Sequence, residues 1–161
     1  EHGIVAVGRG DNTNDAYVLG DYTCSGGPLK WAERAVAAFD ELDADAVVIE
    51  INQGGDMCRN TLESIRPALP IVEVRASRGK HIRAEPISSL YSLGRISHVG
   101  TFPELEDQMC QMTAGGYEGE GSPDRVDAMV WGFTHLFPKM VQRPSKPTKR
   151  LVPYSTGGGM G

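Results

Sequence analysis

Short apolar runs bounded by turn formers give this chain its rhythm. Gly3-Ile4-Val5-Ala6-Val7-Gly8 is one run and Ala16-Tyr17-Val18-Leu19 is the next. Between them, Gly10-Asp11-Asn12-Thr13-Asn14-Asp15 is dense in turn formers, so the pattern predicts two strands joined as a β-hairpin. The breaker cluster Cys24-Ser25-Gly26-Gly27-Pro28 follows. After it, Trp31, Ala32, Ala35, Val36, Phe39 and Leu42 recur at helical spacing. Ala46-Val47-Val48-Ile49-Glu50-Ile51 is almost continuously apolar, as a strand buried on both faces of a parallel sheet would be. It runs into Asn52-Gln53-Gly54-Gly55.

Met57, Leu62, Ile65 and Leu69 predict a second helix, and Ile71-Val72-Glu73-Val74 a further strand. Residues from about Lys80 to Leu93 read as a helix despite Pro86, and Glu104 to Met112 as another. Gly115 to Gly121 reads as a loop. Ser122-Pro123-Asp124 then predicts a helix start, with Ser122 as N-cap and Pro123 at the first helical position. Val126, Met129, Val130, Phe133 and Leu136 supply its buried stripe. A hairpin followed by alternating helices and strands predicts an α/β fold, with a mixed sheet carrying an antiparallel hairpin on one side.

Composition narrows the class. At 161 residues, 40% hydrophobic and 23% charged, the chain has the make-up of one folded domain. No apolar run approaches the ~18–20 residues of a membrane helix, and no charged-then-apolar leader marks secretion. Cys24, Cys58 and Cys110 are odd in number and scattered, which fits reduced thiols. Of the net charge of −5, residues beyond Phe137 contribute +5, so residues 1–137 carry −10. The acidic body is thus expected to be the domain (residues 1–137). The basic, Pro- and Gly-rich residues 138–161 are expected to form a flexible extension without regular structure. Lys146, Lys149 and Arg150 there are candidates for nucleic-acid contact, against the alternative of a solvated linker. An opening Glu1 that leads at once into a strand reads as part of a longer protein.

Candidate chemistry lies in the acids. Glu50 is a carboxylate inside an apolar strand, where an unpaired charge is costly, and glycine-rich chain follows it. Ligands of α/β sheets sit at such strand ends. Asp124 and Asp127 are spaced i, i+3 and share one helix face, although acids in a first turn also simply favour the helix dipole. Carboxylates without His or Cys partners suit Mg²⁺ or Mn²⁺, and a pair of such ions can clamp both oxygens of a phosphodiester. His2, His81, His98 and His135 show no ligand spacing. Neither G-x-x-x-x-G-K-[ST] nor G-x-G-x-x-G after a strand occurs, so no ATP-binding loop is predicted.

Five stretches, taken together and in order, resemble one family. They are Asp45 to Met57, Ala76 to Pro86, Gly94 to His98, Leu105 to Met109 and Ser122 to Ala128. The sequence is similar to the C-terminal nuclease domain of the phage terminase large subunit, over nearly residues 3–137. The resemblance implies a ribonuclease H-like fold, shared with RuvC-type resolvases. It implies that Glu50, Asp124 and Asp127 are metal-binding and catalytic in a two-metal site for Mg²⁺ or Mn²⁺. It makes Lys80 and Arg83 a basic pair near the site, in phosphate contact or on a helix surface. The implied activity is endonucleolytic cutting of concatemeric DNA during packaging. The implied partners are double-stranded DNA, the terminase small subunit, the portal protein and an ATPase domain upstream, in the host cytoplasm and with no membrane.

The resemblance also implies a departure. In this fold the first strand is central and carries the first catalytic aspartate, and that strand is expected to be missing here. Asp11, Asp15 and Asp21 lie in or after the hairpin and do not replace it. The fragment itself is therefore expected to be weak or inactive, with a gap between the Ile4–Arg9 and Ala46–Ile51 strands. Two other readings stand beside this one: a non-catalytic module docking DNA and portal, and a RuvC-like junction resolvase.

Overall fold

The hairpin forms as the turn residues predict. Strand β1 (Val5–Arg9) pairs antiparallel with β2 (Ala16–Asp21), and the Gly10 N–H closes the loop on the Asp15 carbonyl at 3.0 Å. Ala16 and Val18 face inward and are buried. The computed structural model describes residues 1–51 and 56–138, so Asn52 to Gly55 and the proposed tail beyond Pro138 lie outside the described residues.

Helix α1 (Pro28–Glu41) starts with proline at its head and buries Ala32, Ala35 and Val36. Strands β3 (Val47–Glu50) and β4 (Ile71–Val74) pair in parallel, joined through α2 (Asp56–Ile65). Helix α3 (Lys80–Ser92) accommodates Pro86 and ends at Gly94, whose φ of +67° only glycine adopts without strain. The N–H groups of Gly94 and Arg95 return to Tyr91 and Leu90 at 2.9 Å each, a Schellman closure. Then come β5 (Ile96–His98), α4 (Pro103–Cys110), β6 (Met112–Thr113), β7 (Gly116–Tyr117) and α5 (Asp124–Leu136).

Three expectations need correction. Strand β5 is invisible to patterning because only Ile96 of its three residues is apolar, yet it pairs in parallel with β2. The glycine-rich stretch read as loop contributes β7, which forms a small hairpin with β6, so α4 ends before Met112. Ser122 is not the N-cap of α5. Pro123 holds that position, and the cap comes from a distance: Gln108 Oε1 on α4 accepts the N–H groups of Arg125 at 3.1 Å and Val126 at 3.4 Å.

The strand order explains the rest of the shape. Among the described residues, β1-β2-β5 form one sheet and β3-β4 another, and β1 and β3 do not pair. The buried residues divide accordingly. One core gathers Val18, Ile87, Leu90, Leu105, Val130 and Phe133, and the second gathers Ala32, Val36, Ile49, Leu62 and Leu69. Between them runs a groove of about 840 Å³, floored by β1 and β3 and walled by α1 and α5. The architecture is mixed α/β, with the groove separating its two larger sheets.

Beside the first core, Tyr91, His98 and Glu106 form a chain of polar contacts. Glu106 accepts from His98 Nδ1 at 3.0 Å and from the Phe102 N–H at 3.2 Å, while the Tyr91 hydroxyl lies 2.7 Å from His98 Nε2. The carboxylate only accepts, so Nδ1 carries the proton. The bond from His98, and then that from Phe102, hold Glu106 below the ordinary 4.5 of a glutamate. A depressed folded value means that the unfolded chain takes up the proton first. The contribution is therefore present above pH 4.5 and lost as pH falls through the folded value. Urea midpoints followed from about pH 6 to about pH 3 should fall less steeply for Glu106→Gln than for the native chain.

Candidate functional site

The site is built where β3 ends and α5 begins. Glu50 is the last residue of β3, and Asp124 and Asp127 occupy the first turn of α5. Several contacts fix that turn. The Arg125 guanidinium donates to Asp21 Oδ2 at 2.9 Å and pairs with Glu1. Asp21 also accepts the Thr23 N–H at 3.0 Å, so this acid is a strut for α5. Gly3 passes so close to the helix that a Cβ there would lie 2.0 Å from the Asp124 carbonyl oxygen. The turn has no room to drift.

From α3, across the site, come Lys80 and Arg83. Lys80 Nζ lies 3.3 Å from Asp124 Oδ1 and 3.5 Å from Asp127 Oδ2, and donates to Ser122 Oγ at 2.7 Å. Arg83 Nη2 reaches Asp127 Oδ1 at 2.5 Å and lies 4.0 Å from Glu50 Oε1. Its Nη1 donates to the Arg78 carbonyl at 2.5 Å. The guanidinium carbon sits 4.7 Å from the centre of the Trp131 ring, one turn along α5 from Asp127. Arg83 and Asp127 keep only 9% and 7% of their side-chain surface, so this is a buried ion pair. The three acids thus meet through two cations, although more than seventy residues separate Glu50 from the others.

The basic pair therefore faces the acids directly, a geometry that spacing along α3 does not reveal. Trp131, which patterning leaves unremarked beside the buried stripe, is part of the same cluster. Its Nε1 and Arg83 Nε are buried without a hydrogen-bond partner among the described residues. Trp131 also lines the groove, as do Glu50, Asp124 and Asp127. Lys146, Lys149 and Arg150 lie outside the described residues.

Glu50, Asp124 and Asp127 all line the groove and offer oxygen donors, the donor chemistry that a hard divalent ion takes. Among the described residues, no three His, Cys, Asp or Glu side chains close into a metal-binding group. Lys80 and Arg83 are the ion-pair partners of these oxygens.

A mixed sheet flanked by helices, with acids at the end of one strand and the head of the last helix, defines a ribonuclease H-like, nuclease-type module. The family model of the terminase RNaseH-like domain matches residues 2–136, and the chain belongs to that family. A comparison with curated proteins gives no match. No helix among the described residues is long and apolar enough to cross a membrane.

The buried pair sets an expectation for stability. Replacing Asp127 with alanine leaves the Arg83 guanidinium enclosed, with Glu50 as its nearest remaining acid. Asp127→Ala should lower unfolding free energy by about 3–5 kcal/mol in urea titrations.

Proposed function

We propose that this is the endonuclease domain of a phage DNA-packaging terminase, which cuts concatemeric double-stranded DNA by metal-dependent phosphodiester hydrolysis. The observation that supports this most is that Glu50, Asp124 and Asp127 line one groove and share the cations Lys80 and Arg83, in a chain of the terminase RNaseH-like family. These acids would hold Mg²⁺ or Mn²⁺. When bound, such ions activate water and neutralise charge on the leaving oxygen. The chain's own part is to aim carboxylates from two rigid elements at one point, through a fixed first turn of α5. Lys80 and Arg83 add positive charge close to where a phosphate would lie.

The groove bears on the further aspartate that the family resemblance implies. Among the described residues, β1 and β3 each have a neighbour on one side only, and both line the groove with consecutive residues. Such edges are templates for a further strand. In our reading a strand from the parent protein seats there and brings the remaining aspartate. The terminase small subunit, the portal and an ATPase domain belong to the same reading.

The test is plasmid nicking. The parent protein should nick with Mg²⁺ or Mn²⁺, and Glu50→Gln, Asp124→Asn and Asp127→Asn should each slow it by about 10²-fold or more. The 161-residue chain alone should show little activity. A folded parent that never cuts with either ion would favour the docking-module reading, and junction-selective cutting by a dimer would favour a resolvase. If the basic residues beyond Pro138 touch DNA, replacing Lys146, Lys149 and Arg150 with alanine should flatten the salt dependence of binding by a slope of about 3.

A further inference from the structure

Cations at the head of a helix are out of place. The N-terminal end of a helix carries partial positive charge, which favours acids. Helix α3 opens with Lys80 and Arg83, has no acid in its first turn, and receives no side-chain cap at Gly79. Helix α5 opens with Asp124 and Asp127 as the rule expects. The misplaced charges of α3 are explained only by what they face. Each of the three acids lies within 4.0 Å of Lys80 or Arg83.

Arg83 is held in a particular way. Its side chain is nine-tenths buried, its Nε has no partner among the described residues, and its guanidinium carbon lies over the Trp131 ring. A guanidinium placed to satisfy its own donors would not leave Nε unpaired in a buried site. Its position follows the acids and the ring instead.

We propose that Lys80 and Arg83 are resident counter-ions of the Glu50–Asp124–Asp127 cluster, that divalent cations must displace them, and that Trp131 is the positioning residue that seats Arg83. The displacement rests on the metal reading given under "Proposed function", whereas the counter-ion role stands on the ion pairs themselves. Without a divalent ion, the cations offset the repulsion of the crowded carboxylates. With one bound, the acids turn to the metal, and the two basic side chains are released toward an incoming phosphate. Metal affinity is then set by competition with α3.

The experiment uses the 161-residue chain, Mn²⁺ alone as the probe, and readouts other than cleavage. Trp31 and Trp131 are the only tryptophans, so Trp31→Phe leaves Trp131 as a single emitter. In that background, emission should change as Mn²⁺ binds, with the same midpoint as the loss of the free Mn²⁺ resonance signal. Arg83→Gln should bind Mn²⁺ at least about tenfold more tightly than the native side chain. Lys80→Gln, at a more exposed position, should tighten binding in the same direction and serves if Arg83→Gln does not fold. In EDTA, Arg83→Gln should lower the melting temperature, and adding Asp127→Asn should recover most of the loss. Native Mn²⁺ binding with no tightening in the variants, or with Trp131 emission unmoved, would overturn the proposal and leave the nuclease reading intact. Absence of recovery in EDTA would overturn the counter-ion role directly. Absence of Mn²⁺ binding in native and variant chains alike would overturn the displacement, and the metal reading would then rest on nicking by the parent protein.

Discussion

The constraint on which this structure turns is that a buried carboxylate must be neutralised. Asp127 is the most deeply buried charged residue among the described residues, and Arg83 meets it at 2.5 Å with almost no solvent access. Removing two charges from water costs several kcal/mol per ion, and only close, well-aligned partners offset that. The pair therefore dictates where α3 lies relative to α5. It also requires the head of α5 to be rigid, because a small displacement would lengthen a contact that has no water to replace it. The distant cap from Gln108, the Asp21–Arg125 strut and the close passage of Gly3 all act on that one turn.

The second organising feature is the divided sheet. A parallel strand with apolar residues along its whole length is built to be covered on both faces and flanked on both sides. β3 is such a strand up to Glu50, yet among the described residues it pairs with β4 alone, and β1 pairs with β2 alone. The apolar surface consequently collects into two cores rather than one, with the groove between them. Helix α5 spans the division. It fills the first core with Val130 and Phe133, and its Trp131 lines the groove. The acids at its head sit where the two halves meet.

Much of this was legible in the sequence, for local reasons. The continuous run around Ile49 marks a buried strand, and the stripe from Val126 to Leu136 marks the last helix, because burial imposes a period on the side chains. The acids were legible because Glu50 breaks an apolar run and Asp124 and Asp127 share a helix face. What escaped depends on partners far along the chain. The cap of α5 comes from Gln108 rather than Ser122, whose hydroxyl instead accepts from Lys80. Strand β5 exists because β2 offers an edge, and its own residues carry no alternation. Trp131 looks like one more large apolar residue until Arg83 is seen on its face. Pairings of this kind leave no periodic trace.

The same non-local logic divides α3 into two parts with different supports. Its second half is held by apolar burial, through Ile87 and Leu90, and closes on the Gly94 turn. Its first turn has neither a cap nor a buried apolar residue, and its cations work against the helix's own dipole. The acids of α5 and β3 compensate for that misfit. Local rules are commonly broken at functional positions and offset elsewhere in the fold. Here the offset comes mainly from the acidic cluster, with Ser122, the Arg78 carbonyl and the Trp131 ring beside it, so the seating of the head of α3 depends on those carboxylates being unclaimed. A ligand that claims them would loosen one turn and leave the rest of the helix anchored, which confines any rearrangement to the side chains that face the groove mouth.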